Sequence, residues 1–225
     1  MAKAPPAGTR ERLIAAASGL FAERGFRATT ARDIAERAGV NLAAGHYHYG
    51  SKKELYLEVL RAQFEKISTK LARRGGSRPA AEIDRLGRDE LVQMLVRRVQ
   101  VMLDILIGPP PGLHGALMQR EMADPSEALP MIVTEFIDPM MRETERIVAR
   151  LAPSLPVDEV ERCALSIMSQ AVFYRMAMPA FLHRKGWKSY PPGFGADLAR
   201  HIAEFSLGGM ERVVAKQSGR RRRAS

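Results

Sequence analysis

The sequence predicts an all-α protein of about nine helices, organised as an N-terminal three-helix module followed by a larger helical domain. Two observations support this prediction. Apolar residues recur every three or four positions along most of the chain, and no alternating strand pattern of useful length occurs. Turns rich in Gly and Pro divide the periodic stretches from one another. A chain of 225 residues, 46% of them hydrophobic, can bury a sizeable core in one or two domains.

The first two helices are predicted from their ends. Helix one spans about 9–23, and Gly25 marks its C-terminal end because glycine tolerates the left-handed conformation that closes many helices. Helix two begins after Thr30, a preferred N-cap residue, and Asp33 stands at the third helical position to complete a capping box. It ends at Gly39.

The later helices are predicted from caps and from turn-forming segments. Asn41 caps a third helix that runs to about Tyr49, and Ser51 caps a fourth that runs to about Ala72. The basic linker RRGGSRPAAEIDRLGR contains Gly and Pro and is the predicted seam between two modules. Five further helical stretches are predicted near 89–107, 113–123, 126–151, 157–183 and 195–216.

The basic charge lies at the two ends of the chain, which carries a net charge of +10. Residues 1–53 hold nine basic and four acidic side chains, whereas residues 89–213 hold 13 basic and 16 acidic ones. Residues 214–225 add five basic side chains and none that is acidic. A basic N-terminal module is typical of a polyanion binder, so the mildly acidic middle should have another role.

Cysteine content and hydropathy favour a cytoplasmic protein. Cys163 is the single cysteine, which excludes an internal disulfide framework and suits a reducing compartment. The first residues, MAKAPPAGTRER, lack the apolar segment of a secretory signal. The most apolar run, LVQMLVRRVQVMLDILIG, is interrupted by Arg97, Arg98 and Asp104, so it does not predict a membrane span.

Helices two and three form a predicted helix-turn-helix. Gly39 supplies the tight turn, and Ala35 is small where the two helix axes cross. Ile34 and Val40 fill the core beneath the crossing. This geometry lets the second helix of the pair lie in a DNA major groove with its N-terminal residues facing the base edges.

The same residues resemble the TetR family of bacterial repressors. The similar segments are RERLIAAASGLFAERGF, TTARDIAERAGV and NLAAGHYHYGSKKELY, which arrive in register between residues 9 and 57. QREMADPSEAL and SQAVFYR further resemble one branch of that family with its own type of C-terminal domain. The resemblance implies a homodimer formed through the helices near 157–183 and 195–216, with a small effector bound between the C-terminal helices.

Geometry and the resemblance together predict the DNA contacts. Thr30 and Arg32 lie at the N-terminus of helix two, where backbone N–H groups favour a phosphate, and the resemblance implies that Arg32 reaches a base such as guanine. The start of helix three contributes Asn41, and its base-facing positions hold Leu42, Ala43, Ala44 and His46. The resemblance implies that the phosphate backbone is gripped by Tyr47, His48 and Lys52.

Gly45 departs from the family pattern, which usually has an aliphatic residue here that pins helix three onto helices one and two. Glycine inside a helix costs about 0.5–1 kcal/mol relative to alanine, before any loss of packing. We therefore expect a loosely anchored third helix, unless a bulky neighbour such as Tyr49 fills the space.

A metal site is the competing interpretation of the same helix, because His46 and His48 form a His-x-His pair. Residues two apart on a helix point to different sides, and no cysteine or carboxylate partner is near in sequence. No metal and no cofactor is therefore expected.

The effector pocket is predicted from methionines and isolated polar residues on apolar helical stretches. Methionine adapts to varied apolar ligands, and a few polar groups would fix a ligand's orientation. The competing interpretation, that these residues are core filler and satisfied core polar groups, stays open. The candidates are Met94, Met102, His114, Met118, Glu121, Met122, Phe136, Met140, Gln170, Tyr174 and Arg175.

The predicted organisation follows the chain in four segments. They are a disordered N-terminus at 1–8, a helix-turn-helix DNA-binding domain at 9–53, a helical effector-binding and dimerisation domain at 54–217, and a disordered basic tail at 218–225. The expected partners are a palindromic double-stranded DNA operator, a small mainly apolar effector and a second copy of the chain, with no membrane.

Two other functions compete with that of a ligand-released repressor. The first is a constitutive, nucleoid-type DNA-binding protein without an effector, which a fully packed C-terminal domain would favour. The second is an all-α enzyme, but G-x-S-x-G, H-E-x-x-H, Walker A and G-x-G-x-x-G motifs are missing from the sequence. We therefore expect no enzymatic activity.

Overall fold

In the computed structural model, residues 8–108 and 113–224 are described, together with their side chains except those of residues 44–47, 113–114 and 218–224. All regular secondary structure in this part of the chain is helical, which confirms the all-α fold class. The helices are α1 (Thr9–Ala28), α2 (Ala31–Ala38), α3 (Leu42–Tyr49), α4 (Lys52–Arg73), α5 (Ala80–Ile83), α6 (Arg88–Leu106), α7 (Leu113–Ala123), α8 (Leu129–Ile132), α9 (Asp138–Leu151), α10 (Val157–Met176), α11 (Met178–Lys185) and α12 (Phe194–Ala224).

The ends of the first two helices match their predicted caps. Gly25 interrupts α1 with a φ of 83°, in the left-handed region that favours glycine. The Thr30 hydroxyl accepts the Asp33 N–H at 3.1 Å, and the Asp33 carboxylate accepts the Thr30 N–H at 2.9 Å. Gly39 ends α2 with a φ of 65°. The helix-turn-helix is therefore built from the local interactions that its sequence predicts.

Two of the long predicted helices are divided in the structure, and prolines lie at both divisions. The stretch expected at 126–151 contains a π-helical turn, Val133–Ile137, directly before α9, whose second residue is Pro139. The stretch expected at 157–183 divides at Ala177, between α10 and α11, and Pro179 is the second residue of α11. Proline has no N–H to continue the helical hydrogen-bond ladder, so a regular α-helix does not pass through it undisturbed.

The basic tail is the third difference from the sequence prediction. Residues 218–225 were expected to be disordered, but α12 continues through Ala224. Arginine is a good helix former, and extending an existing helix fixes one residue for each hydrogen bond gained. The other segment expected to be disordered, residues 1–8, falls outside the described part of the chain except for Gly8.

The described chain forms two compact units, one of residues 8–66 with 113–136 and the other of residues 67–108 with 137–224. This division differs from the predicted boundary at residue 53, which followed the order of the chain. Residues 113–136 join the first unit because α7 packs against α1. The long helix α4 contributes to both units.

Aromatic packing forms the centre of the first unit. The ring centroids of Phe21 and Tyr56 lie 4.7 Å apart in an edge-to-face arrangement, and those of Phe26 and Tyr56 lie 4.9 Å apart. Such ring pairs add to the stability that comes from burying apolar area alone. Phe64 of α4 stacks on Phe136 with their centroids 4.2 Å apart. Helix α1, helix α4 and the π-helical turn Val133–Ile137 are thereby packed together.

The second unit is built around α6, which packs against α9, α10 and α12. Arg98 of α6 is completely buried in this core. Its guanidinium pairs with Glu143 at 2.6 Å and donates to the Thr144 hydroxyl at 2.9 Å and to the carbonyls of Gly76 and Met140. A buried charge requires partners of this kind, since its desolvation would otherwise cost several kcal/mol.

The segment LVQMLVRRVQVMLDILIG, interpreted as too charged for a membrane span, lies almost entirely within α6. Among the described residues, no helix combines the length and apolar character that crossing a membrane requires.

Candidate functional site

The N-terminus of α2 presents an unpaired positive charge at the surface. Arg32 is exposed and, within the described residues, has no hydrogen-bond or ion-pair partner. The hydrogen bonds from Thr30 hold the pKa of the Asp33 carboxyl below its usual range, and the nearby charges of Arg24 and Arg32 lower it further. Asp33 therefore remains a carboxylate that caps the helix, while Arg32 is available for an external anion.

Ion pairs compensate several of the other cations of the first unit. Arg37 pairs with Glu23 at 3.0 Å, Arg27 with Asp124 at 3.3 Å and Lys53 with Glu127 at 2.7 Å, and Arg10 pairs with Glu58. Within the described part of this unit, the cations without an ion-pair partner are Arg12, Arg24, Arg32, Lys52, Lys66 and Arg120, and only Arg24 and Arg32 of these lie close to Asp33 at the start of α2. Arg24 was not among the predicted DNA-binding residues, and its proximity to Asp33 places it beside the start of α2.

The C-terminal end of α3 is fixed to the start of α1. The Tyr49 hydroxyl donates to the Arg10 carbonyl at 3.2 Å, and the Arg10 guanidinium carbon lies 5.8 Å from the centre of the Tyr49 ring. Burial raises the pKa of Tyr49, so the hydroxyl stays a neutral donor at ordinary pH. Gly50 then turns the chain with a φ of 65°, and Ser51 caps α4 by accepting the Glu54 N–H at 3.1 Å.

A small cavity lies beneath the N-terminal part of α3. Its volume is about 20 Å³, and its lining includes Leu13, Ile34, Leu42 and Tyr49. Gly45 is three residues after Leu42 and four before Tyr49, which places it on the same helix face as both. That an aliphatic side chain is missing at this position stays a prediction.

The other predicted contacts on and near α3 are placed as follows. The exposed side chains are those of Asn41, Leu42, Ala43 and His48. The side chains outside the described part of the structure are those of Ala44, His46 and Tyr47.

Lys52, predicted to grip phosphate, has an intramolecular partner that its sequence position does not reveal. Its ammonium nitrogen donates to the Phe26 carbonyl at 3.0 Å and lies 4.3 Å from the centre of the Phe26 ring. Phe26 follows the kink in α1, so Lys52 ties the start of α4 to the end of α1. An ammonium has three donors, so the DNA contact stays a prediction alongside this structural role.

Helix α7 is attached to α1 and α4 by two adjacent residues. The Arg120 guanidinium donates to the Ala22 carbonyl at 2.7 Å and also to the Glu23 carbonyl, near the end of α1. The Glu121 carboxylate accepts the Tyr56 hydroxyl at 2.8 Å and the Ser126 N–H at 2.7 Å. A cleft of about 200 Å³ lies between these residues and the end of α1.

The predicted effector residues are divided between the two units. The first unit contains Met118, Glu121, Met122 and Phe136, and the second contains Met94, Met102, Met140, Gln170, Tyr174 and Arg175. The side chain of His114 falls outside the described part.

Most of the predicted effector residues pack against or hydrogen-bond to other residues of the protein. Met94 and Met102 are buried in the core of the second unit. Gln170 donates to the Ser206 hydroxyl at 3.2 Å, and the Tyr174 ring stacks on Phe181. Met122 is exposed, so it is not a wall of an enclosed pocket in this structure. Arg175 is the exception, because it is buried while two of its nitrogen atoms have no hydrogen-bond partner.

An apolar face remains exposed on α10, one of the two helices expected to form a dimer. Leu165, Val172 and Met176 follow one another at intervals of seven and four residues, and each is more than a third exposed. Phe205 of α12 is 67% exposed. A groove of about 240 Å³ runs between the two helices. Apolar surface in such a contiguous stripe is typical of a protein–protein interface.

Two protein-family profiles match the chain. The profile described as the C-terminal domain of the HTH-type transcriptional dual regulator CecR matches residues 88–210, more than half of the chain. The profile described as bacterial regulatory proteins of the tetR family matches residues 13–59, which include the helix-turn-helix.

Individual relatives agree with these profiles. The chain is 28% identical over 191 residues to the HTH-type transcriptional dual regulator CecR of Shigella flexneri, covering 80% of this chain and 82% of that protein. It is 45% identical over 56 residues to the HTH-type transcriptional repressor KstR2 of Mycolicibacterium smegmatis, which is 25% of this chain and 27% of that protein. The second match is thus confined to a short part of each protein.

Solved structures show the same fold. A TetR-family transcriptional regulator from Streptomyces coelicolor has a TM-score of 0.66 at 17% identity, covering 92% of this chain and 91% of that one. A TetR-like regulator from Rhodococcus sp. RHA1 has a TM-score of 0.64 at 19% identity, covering 92% and 100%.

Proposed function

The chain belongs to the TetR family of bacterial regulatory proteins, with a C-terminal domain of the CecR type, and on this premise we propose that it is a dimeric repressor that a small, mainly apolar ligand releases from its operator. Membership confirms the resemblance predicted from three helices in register, and it makes the protein a DNA-binding transcriptional regulator. Repression, the dimer and release by a ligand are the proposal.

The observation that carries the DNA-binding part is the uncompensated charge at the start of α2. Arg24 and Arg32 lie near the N-terminus of the first helix of the motif and are exposed, while Arg27 and Arg37 are engaged in ion pairs. The partial positive charge of a helix N-terminus adds to theirs, so a DNA phosphate would be attracted to this point. From there Arg32 is long enough to reach a guanine edge, where a guanidinium makes two parallel hydrogen bonds.

The exposed apolar face of α10 and α12 supports the dimer. A second copy that covers this face by two-fold symmetry would remove Leu165, Met176 and Phe205 from water on both chains at once. The same symmetry would present two copies of α3 to successive major grooves, which is why a palindromic operator is expected.

Release by a ligand is supported by the contacts that join the helices of the first unit. Helix α4 belongs to both compact units, and α7 is hydrogen-bonded to α1 through Arg120 and to α4 through Glu121. A ligand that shifts the second-unit end of α4 would move the first unit as a body, because its helices are joined by these contacts. The first units of the two protomers would then lose their spacing on the operator.

The proposal is tested by footprinting the protein on the DNA upstream of its own coding region. The bound complex is then titrated with apolar compounds. A protected palindrome that becomes unprotected on ligand addition is the expected result, and a transcription reporter on the same DNA should show repression that the ligand relieves. Protection that no compound relieves would favour the constitutive DNA-binding alternative. Reporter output that rises with the protein would overturn the repressor assignment while leaving DNA binding in place.

A further inference from the structure

Two buried arginines of the second unit differ in their surroundings. Arg98 is fully buried and has Glu143 as an ion-pair partner and Thr144 as a hydrogen-bond acceptor. Arg175 is only 8% exposed, yet its Nε and one terminal nitrogen have no hydrogen-bond partner among the described residues. Burial lowers the pKa of Arg175, and no acidic side chain in the described part of the protein opposes that shift. The fold supplies partners for one guanidinium and leaves the other unpaired.

The position of Arg175 on α10 directs it into its own chain. It continues a buried stripe formed by Val160, Ala164, Ile167 and Ala171, whose spacing of three or four residues marks one face of a helix. The exposed apolar residues that we assign to the dimer lie on other faces of the same helix. Since Arg175 is already nine-tenths buried within one chain, a second copy has little of this side chain left to contact.

An unpaired guanidinium is costly to bury. Arginine stays protonated at physiological pH, so a buried water could accept one of its hydrogen bonds but could not balance its charge. Arg175 also lies in the last turn of α10, where the helix dipole is favourable but supplies only partial charge. A carboxylate supplies a full negative charge and two acceptors whose geometry matches the guanidinium fork.

The surroundings of this end of α10 are aromatic. Tyr174 stacks on Phe181, with ring centroids 5.3 Å apart, and Phe194 stacks on Tyr190 at 4.7 Å. The Tyr190 hydroxyl donates to the Tyr174 carbonyl at 2.8 Å, which joins the two ring pairs. These rings therefore form an apolar group at the same end of α10 as Arg175.

We propose that Arg175 receives the carboxylate of the effector, so that the regulating ligand is an apolar acid rather than a neutral compound. This inference rests on the proposed function, because it assigns a ligand class to the same ligand-responsive domain. The apolar body of the acid would pack on neighbouring apolar side chains, and its charge would compensate the buried guanidinium. Discrimination between an acid and a neutral analogue of the same shape is the property that this site predicts.

The test uses the full-length protein and two matched pairs of probes, 2-naphthoate with 2-naphthamide and decanoate with decanamide. Affinity is measured by calorimetry, stability by thermal melting, and operator occupancy by fluorescence anisotropy. For at least one pair, the acid should bind the wild-type protein about 10- to 100-fold more tightly than the amide, since hydrogen bonds to charged groups are the strong ones. The acid should also raise the melting temperature.

Three variants separate recognition from folding. Arg175→Met removes the charge but keeps an extended apolar side chain, so it should lose the preference for the acid and retain operator affinity. Arg175→Lys keeps the charge without the two-pronged geometry and should retain part of that preference. Arg184→Met, at an exposed arginine of the neighbouring helix α11, is the matched control and should behave as wild type. Melting of each unliganded variant checks that it folds.

The outcomes distinguish this inference from the proposed function. Failure of both acids to bind, equal binding of acid and amide, or an acid preference that survives in Arg175→Met would each overturn the assignment of Arg175. Release of the operator by the amides alone would overturn it too, while the ligand-released repressor would stand. Arg175-dependent acid binding that leaves the operator occupied would support the site and contradict release by this ligand class.

Discussion

The hydroxyl of Tyr56 donates a 2.8 Å hydrogen bond to the Glu121 carboxylate, joining α4 to α7 inside the first compact unit. Both side chains are almost completely buried, and Glu121 also accepts the N–H and the hydroxyl of Ser126. Burial raises the pKa of Tyr56, and the carboxylate raises it further. The tyrosine is therefore a permanent donor at physiological pH. Glu121, whose contact with the effector stays a prediction, has these protein partners.

Replacing this donor should destabilise the first unit. Tyr56→Phe is expected to lower the free energy of unfolding by about 1–3 kcal/mol, because it leaves a buried charged acceptor short of one hydrogen bond. Urea unfolding followed by circular dichroism measures the change. Tyr49→Phe, which removes a half-buried hydroxyl bonded to a neutral carbonyl, is the control and should cost less. Equal losses in the two variants would contradict a special role for the Tyr56–Glu121 pair.

The capping box of α2 should make stability depend on pH below neutrality. The folded pKa of Asp33 is lowered by its hydrogen bonds with Thr30, so its stabilising contribution is present above the unfolded value of 3.8. That contribution is lost as the pH falls through the folded pKa. Asp33→Asn should therefore melt below wild type at pH 7, and the gap should be smaller at pH 3, on the acid side of the unfolded value. A gap of the same size at both pH values would show that the carboxylate charge is not responsible.

Replacing Gly45 of α3 by a larger residue should stabilise the first unit. Gly45→Val is expected to raise the melting temperature, because valine is a better helix former than glycine and each methylene-sized group buried contributes about 0.8 kcal/mol. Gly45→Ala serves as the comparison, since it supplies most of the backbone gain and adds only one carbon to the side chain. A valine variant that melts below wild type would instead show that the glycine permits a close backbone approach.

Arg32 should contribute to operator choice as well as to affinity. Arg32→Ala is expected to reduce the free-energy difference between operator and random DNA by about 1–3 kcal/mol, because a guanidinium that bonds a guanine edge reads sequence. Anisotropy titrations on both DNAs at one salt concentration measure this difference. His48→Ala is the matched variant, and as a predicted phosphate contact it should weaken binding to both DNAs about equally. Equal losses for Arg32→Ala would reduce Arg32 to a phosphate contact.

The features predicted correctly from sequence depend on residues that are close together in the chain. The Thr30–Asp33 capping box spans three positions, and the turn at Gly39 closes through a hydrogen bond from the Val40 N–H to the Ala35 carbonyl. Local interactions of this kind depend on residue type and spacing, both of which the sequence states directly. The helix-turn-helix, and with it the family, could therefore be predicted.

The effector set shows where periodicity stops being informative. A methionine on the apolar face of a helix can lie in a packed core or in a pocket wall, and both positions repeat every three or four residues. Met94 and Met102 lie in the core, whereas Met122 is exposed. Only the packing of neighbouring helices separates these cases.

The sequence by itself determined the all-α class, the positions of the helix caps and the DNA-binding motif, since each follows from contacts within about five residues. The tertiary structure alone decided the partners of the charged residues. Lys52 donates to Phe26, 26 positions away, and Tyr56 donates to Glu121, 65 positions away. Arg98 has acceptors on two other segments of the chain. Arg175 has no acceptor in the described part of the chain for two of its nitrogen atoms. A buried charge needs a partner but does not specify where in the chain that partner lies, so its pairing exists only once the helices have packed.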